Sequence, residues 1–209
     1  MLYYILLFAV FVGIRYIVNY FLHDLYLSYI ITVIITGFLI MFYKSKFPEL
    51  KFKFDLQAVL IGMAVFLLWV LLEGRYPWIP FLGTPGEGLN PLTLPKVLII
   101  PAMIFRLLGS ILVAPIVEEL FFRSFLYRFI ATKNWKKMPI GRYDHIAFFV
   151  TIFFFGFIHM RWLPGLLAGA AFTGMMVWRK NLSSPILAHL TANLCLCIYV
   201  LSTQSWTFW

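Results

Sequence analysis

Against a background of leucine, phenylalanine and valine, a few side chains in the second half of the chain carry chemistry: Glu118, Glu119, Arg123, His159, His189 and Asn193. Taken as helical, the stretch Pro115-Ile-Val-Glu-Glu-Leu-Phe-Phe-Arg123 puts Glu119 and Arg123 four apart, on one face and within reach of an ion pair. Glu118 is turned about 100° away from that pair. It is flanked by Phe121, Phe122 and Phe125, with no basic partner one turn off. A carboxyl group in such surroundings serves as a proton acceptor or donor near neutral pH. The competing structural reading is that both glutamates bind Arg106, Arg123 or Arg128 and brace the bundle.

His159 closes the run Phe155-Gly-Phe-Ile-His159, with Phe155 one turn before it on the same face. His189 and Asn193, also four apart, offer two hydrogen-bonding side chains on one helix face. In the plainer reading His159 is an interfacial residue and the His189 and Asn193 pair bonds across helices. Together, one carboxylate, two imidazoles and an amide suit the addition of water to an amide carbonyl. Glu118 takes a proton from the water and His159 holds or polarises it. His189 and Asn193 donate to the developing oxyanion, a contribution of about 3 to 4 kcal/mol per donor in known cases. Ser110, Ser124 and Thr191 lie nearby, but none has the nucleophile, base and orienter arrangement of a triad. The metal alternative takes Glu118, His159 and His189 as three zinc ligands with a fourth position open for water. The His-Glu-x-x-His pattern is absent and neighbouring Arg123 disfavours a cation, so no cofactor is expected.

Such side chains need apolar elements to position them, and the composition supplies little else. Of 209 residues, 63% are hydrophobic, 20% aromatic and only 12% charged, against about 25% charged in an average soluble domain. A water-soluble globule is excluded, and an all-α, polytopic membrane bundle is expected. Apolar runs predict seven helices near 2–22, 26–43, 55–72, 96–130, 146–160, 163–178 and 184–202. The fourth would be roughly 50 Å long at 1.5 Å per residue. It carries Pro101, Gly109 and Pro115, so a kinked helix or a pair of helices is expected there, making seven or eight spans. Counted from the inner helix ends, Asn193 lies roughly 14 Å deep, Glu118 roughly 18 Å, His159 roughly 20 Å and His189 roughly 8 Å. The fifth and sixth helices are short of a full span, so the turn from Met160 to Pro164 is expected to stop inside the membrane and open a wet cavity.

The net charge of +9 resides in alternate loops: Lys44, Lys46, Lys51 and Lys53; then Lys133, Lys136, Lys137 and Arg142; then Arg179 and Lys180. These loops are expected to be cytoplasmic, with the N-terminus inside, and no nucleic-acid partner is implied. The opposite set carries Trp78, Trp162, Trp206 and Trp209, an outer aromatic belt. Gly74 to Pro95, rich in glycine and proline, reads as an outer loop or lid. The N-terminal run lacks a basic flank and cleavage site and is expected to be a retained span. Cys195 and Cys197 point to nearly opposite helix faces, so neither a disulfide framework nor a cysteine metal site is implied. One membrane domain is expected over 1–209: three spans in 1–73, an outer loop at 74–95 and a catalytic helix core at 96–202.

Three motifs in order, Glu118-Glu119-Leu-Phe-Phe-Arg123, Phe155 to His159 and His189 to Asn193, resemble those of the CAAX-protease and bacteriocin-processing (CPBP) family of glutamic intramembrane proteases. The resemblance covers about Pro91 to Leu201. It implies that Glu118 activates water with help from His159, that His189 and Asn193 form the oxyanion hole, and that Glu119 and Arg123 support them. Where the family's arginine is often followed by glycine, this chain has Ser124. The ending Val200 to Trp209 resembles the bacterial CAAX prenyl protease-related subgroup associated with exosortase systems. It implies a bacterial inner membrane and leaves a prenylated substrate open. The implied partners are the lipid bilayer and a membrane-anchored protein or peptide. A non-catalytic immunity or scaffold protein of the same fold is the remaining alternative. A transporter is disfavoured because no inverted repeat is visible.

Overall fold

The computed structural model describes residues 1–84, 86 and 88–209. Apart from short 3-10 turns, the described residues form seven helices and no strand: α1 Leu2–Leu22, α2 Leu25–Phe42, α3 Leu56–Leu71, α4 Lys96–Ala131, α5 His145–Phe157, α6 Trp162–Arg179 and α7 Ser183–Thr203. Aspartates begin three of them. Asp24, Asp55 and Asp144 accept from the backbone N–H of Leu27, Gln57 and Ala147, satisfying donors that the first helical turn leaves open.

The fourth segment is one unbroken helix. Its α-helical stretches are joined by two π-helical ones, Gly109–Val113 and Leu120–Leu126, which leave the short α-helical piece Ala114–Glu119 between them. Pro115 explains part of this. The Ala114 N–H turns back to Gly109 O, and Pro115, the next donor in line, has no N–H to give to Ser110 O. The carbonyl of Ser110 is thereby left for a side chain.

Helix α4 is the centre of the bundle. The hairpin of α1 and α2 packs on one side of it, around Tyr4, Leu7, Val33, Val113, Val117 and Leu120. On the other side α3, α5, α6 and α7 close around Phe122, Phe155, Phe172 and Ala188. Helix α3 follows α2 in the chain but packs against α7 and α6. Outside the bundle, large apolar side chains stand exposed, among them Phe21, Phe38, Val97, Ile146 and Phe149. Four helices, α1, α2, α4 and α7, are long and apolar enough to cross a bilayer, while α3 and α5 are shorter apolar helices. The protein is an integral membrane helical bundle.

The two ends differ in chemistry. At one, the basic loops meet: Ser183 Oγ joins Lys53, Arg179 Nε pairs with Asp55 at 2.7 Å, and Arg128 pairs with Glu49 at 3.3 Å. At the other, Arg161 Nε lies 2.7 Å from Glu73, Trp162 Nε1 donates to Pro77 O, and Leu89 N–H donates to Trp209 O.

Candidate active site

The pair Glu118 and Glu119 sits at the end of the α-helical piece between the two π stretches of α4. Glu119 and Arg123 are fully buried and joined at 3.0 Å. The arginine's Nε donates to Thr173 Oγ1 and its Nη2 to Gly169 O, both on α6, while its Cζ lies 4.1 Å from the Phe155 ring centre. This charge pair therefore ties α4 to α5 and α6 rather than facing a cavity. Of the alternatives the sequence left open for the arginines, Arg123 takes Glu119, Arg128 takes Glu49, and Arg106 has neither glutamate.

Glu118, half-buried, turns instead into a cavity of about 190 Å³, which His159, His189 and Asn193 also line. Its Oε2 is buried with no hydrogen-bond partner. The four side chains came from three helical segments with different estimated depths. The structure brings them to one hollow.

His159 lies two residues beyond the end of α5, in the turn before α6, and not within the helix as expected. That turn is held tightly because two glycines face each other. A Cβ on Gly165 would come within 3.0 Å of Gly156 O and 3.4 Å of the His159 Cβ. Nδ1 of His159 meets Phe155 O at 2.6 Å. A carbonyl only accepts, so Nδ1 carries the proton and Nε2 is left as the acceptor of the neutral ring. Trp69 of α3 stands edge-on to this imidazole, ring centres 5.7 Å apart.

His189 is held by its neighbours through one nitrogen and its ring faces. Its Nδ1 lies 2.9 Å from Glu119 Oε1, and its ring stacks on Phe172 at 4.8 Å with Phe155 against its edge. Glu119 thus orients both Arg123 and His189 and leaves Nε2 as the ring's second nitrogen. Asn193 donates through Nδ2 to Ser110 O at 2.7 Å, the carbonyl that Pro115 leaves without a backbone donor. One N–H of the amide remains.

The sequence does not place the rest of the cavity wall at the site, although it marks Arg106 as a charge in an apolar segment. Val65, Phe66 and Trp69 of α3 line it, as do Arg106, Ser110, Cys197, Phe208 and Trp209. The wall therefore reaches beyond 96–202 into the third helix and the tail. A tryptophan at the fourteenth position of α3, facing the same way as Val65 and Phe66, was the available signal. Among the described residues, no three His, Cys, Asp or Glu side chains gather as a metal-ligand cluster. Glu118, His159 and His189 thus do not stand preassembled as the three ligands that the zinc alternative requires.

Residues 100–195 match a family model described as type II CAAX prenyl endopeptidase Rce1-like. Comparison with curated proteins and with solved structures finds no match. The matched segment contains Glu118, Glu119, Arg123, His159, His189 and Asn193. Over that segment, a little under half of its length, the chain is similar to the Rce1-like type II CAAX prenyl endopeptidases.

Proposed function

We propose that the protein is an intramembrane endopeptidase in which Glu118 activates the water that hydrolyses a peptide bond of a membrane-anchored protein or peptide. The observation that carries this reading is the carboxylate oxygen of Glu118, buried without a partner in a cavity shared with His159, His189 and Asn193. In the reaction Glu118 removes a proton from water held also by the acceptor Nε2 of His159, and the oxygen adds to the carbonyl carbon. The resulting oxyanion receives the spare N–H of Asn193 and, with His189 as the imidazolium, its Nε2–H. Negative Glu119 holds both His189 and Arg123, and the one net positive charge left over favours the oxyanion. On collapse the C–N bond breaks and Glu118 returns its proton to the leaving amine, so no proton is gained or lost by the protein over the cycle.

The roles of Glu119 and Arg123 are to position His189 and α6. In this reading the chain works as one membrane unit, with its basic end and N-terminus in the cytoplasm of a bacterial cell, and requires no cofactor. Neither a prenyl group nor an exosortase partner is required by these residues. The test is incubation of the purified protein, in proteoliposomes, with lipid-anchored peptides, read by mass spectrometry. Wild type should cleave, and Glu118→Gln and His189→Ala should lose about a hundredfold or more of the rate while Glu118→Gln still binds peptide. Activity abolished by chelation and restored by zinc alone would establish the metal alternative. Unchanged biological output with Glu118→Gln would establish the non-catalytic scaffold.

A further inference from the structure

Arg106 stands on the wall of the same cavity as Glu118, twelve residues before it in α4. Among the described residues it makes no ion pair, whereas Arg123, Arg128, Arg161 and Arg179 each have a carboxylate. Its Nε is buried with no acceptor. What surrounds the guanidinium is aromatic: its Cζ lies 4.6 Å from the Tyr29 ring centre and 5.9 Å from that of Trp209. A ring face attracts a cation but gives an N–H no lone pair to meet. Arg15 lies over the same Tyr29 ring at 5.7 Å, adding a second positive charge that no acid among the described residues pairs with. A guanidinium whose buried Nε lacks an acceptor, and which has no carboxylate among the described residues, is an arrangement completed by an anion.

Two placements say which anion. Arg106 lines the catalytic cavity together with Phe208 and Trp209 and also borders a smaller hollow with Tyr29 and Trp209, so an anion carried by the occupant of the catalytic cavity comes within its reach. It also lies one helical turn before Ser110, whose carbonyl holds Asn193. A turn rises about 5.4 Å and the arginine stem adds a comparable reach. An extended peptide advances about 3.3 Å per residue, so the anion sits roughly two to four residues from a carbonyl bound at Asn193.

Resting on the hydrolase reading above, we infer that Arg106 is the anchor subsite for a carboxylate of the peptide substrate, either its free C-terminus or an acidic side chain close to the scissile bond. Arg106 then determines which peptides are held in register, and Arg15 strengthens the local positive potential.

The test uses S-farnesylated peptides with degenerate positions after the cysteine. They are made as free acids, as C-terminal amides, and with Asp or Asn at each position, and are presented to the full-length protein in phosphatidylcholine proteoliposomes. Binding to Glu118→Gln protein is read by fluorescence anisotropy and cleavage by wild type through kcat and KM. Arg106→Gln should raise KM, and Kd in the Glu118→Gln background, roughly ten- to hundredfold for the carboxylate-bearing peptide. It should leave kcat near wild type and leave the uncharged peptide unaffected, and Arg106→Lys should recover part of the loss. Preference for the acid over the amide identifies the C-terminus as the source, and preference for Asp over Asn identifies a side chain. Equal effects of Arg106→Gln on charged and uncharged peptides, or equal binding of both including none, overturn the subsite. So does a dependence on added phosphatidylglycerol rather than on peptide charge, which assigns Arg106 to a lipid phosphate. Acid-selective binding without cleavage overturns the hydrolase reading and keeps the subsite, while cleavage without acid preference does the reverse.

Discussion

At the scale of single residues, two neighbouring glutamates with one charge have opposite surroundings. Each keeps one buried oxygen without a partner, but Glu119 is held through its other oxygen by Arg123 and His189, at 3.0 and 2.9 Å, and lies away from the cavity that Glu118 lines. Exchanging their properties is therefore asymmetric. Removing the Arg123 charge by Arg123→Met leaves Glu119 buried without its main counter-charge, a loss of about 3 to 5 kcal/mol. Thermal unfolding in detergent should show a fall in midpoint for Arg123→Met and almost none for Glu118→Gln. An unmoved midpoint in Arg123→Met would refute the structural role of the pair. Asn193→Ala removes an oxyanion donor, and its kcat should drop by about a hundred- to a thousandfold with little change in KM. A rise in KM alone would mean that Asn193 binds substrate and does not act in the transition state.

Among the elements, the close crossings are what place the site. Gly62 of α3 lies against Ala188 O and the Thr191 Cβ of α7, and a Cβ there would collide with both. Gly62→Leu should separate α3 from α7, lower the unfolding midpoint and widen the cavity wall that Trp69 forms, an overpacking cost of about 1 to 3 kcal/mol. A variant of wild-type stability would show that this crossing is loose. Asp55 fastens the same helix at its other end, where it caps α3 and takes Arg179 Nε and Ser184 Oγ, both at 2.7 Å. Burial works to raise its pKa, but the hydrogen bonds from Ser184 and Arg179 and the arginine's charge outweigh it and hold the carboxyl below the usual carboxylate range. Since the folded value lies below the unfolded one, the stabilisation is complete above the unfolded pKa and fades as pH falls through the folded one. The midpoint difference between wild type and Asp55→Asn should be level at neutral pH and shrink once pH drops below the ordinary carboxylate range. A difference independent of pH would rule out the charge as its source.

For the whole molecule, the contrast between a basic end and an aromatic end predicts an orientation with the basic end in the cytoplasm. Single cysteines at Lys136 and at Trp206, in a protein otherwise free of cysteine, should react with a membrane-impermeant maleimide from opposite sides. The Lys136 position should label in inside-out vesicles, and the reverse pattern would invert the topology. Sequence alone determined the helix count, the membrane character, the Glu119 and Arg123 pair and the separate direction of Glu118. Each of these follows from local periodicity and from the cost of polar groups in hydrocarbon, which any stretch of chain feels by itself. Only the tertiary structure decided that α3 turns away from α2 to wall the cavity, that His189 answers to Glu119, and that Arg106 lines the same hollow as Glu118 with no carboxylate partner among the described residues. In a lipid-facing bundle every helix is apolar all round, so hydropathy does not say which face meets which neighbour. That choice is made by small residues in close crossings and by a few buried hydrogen bonds between segments far apart in the chain.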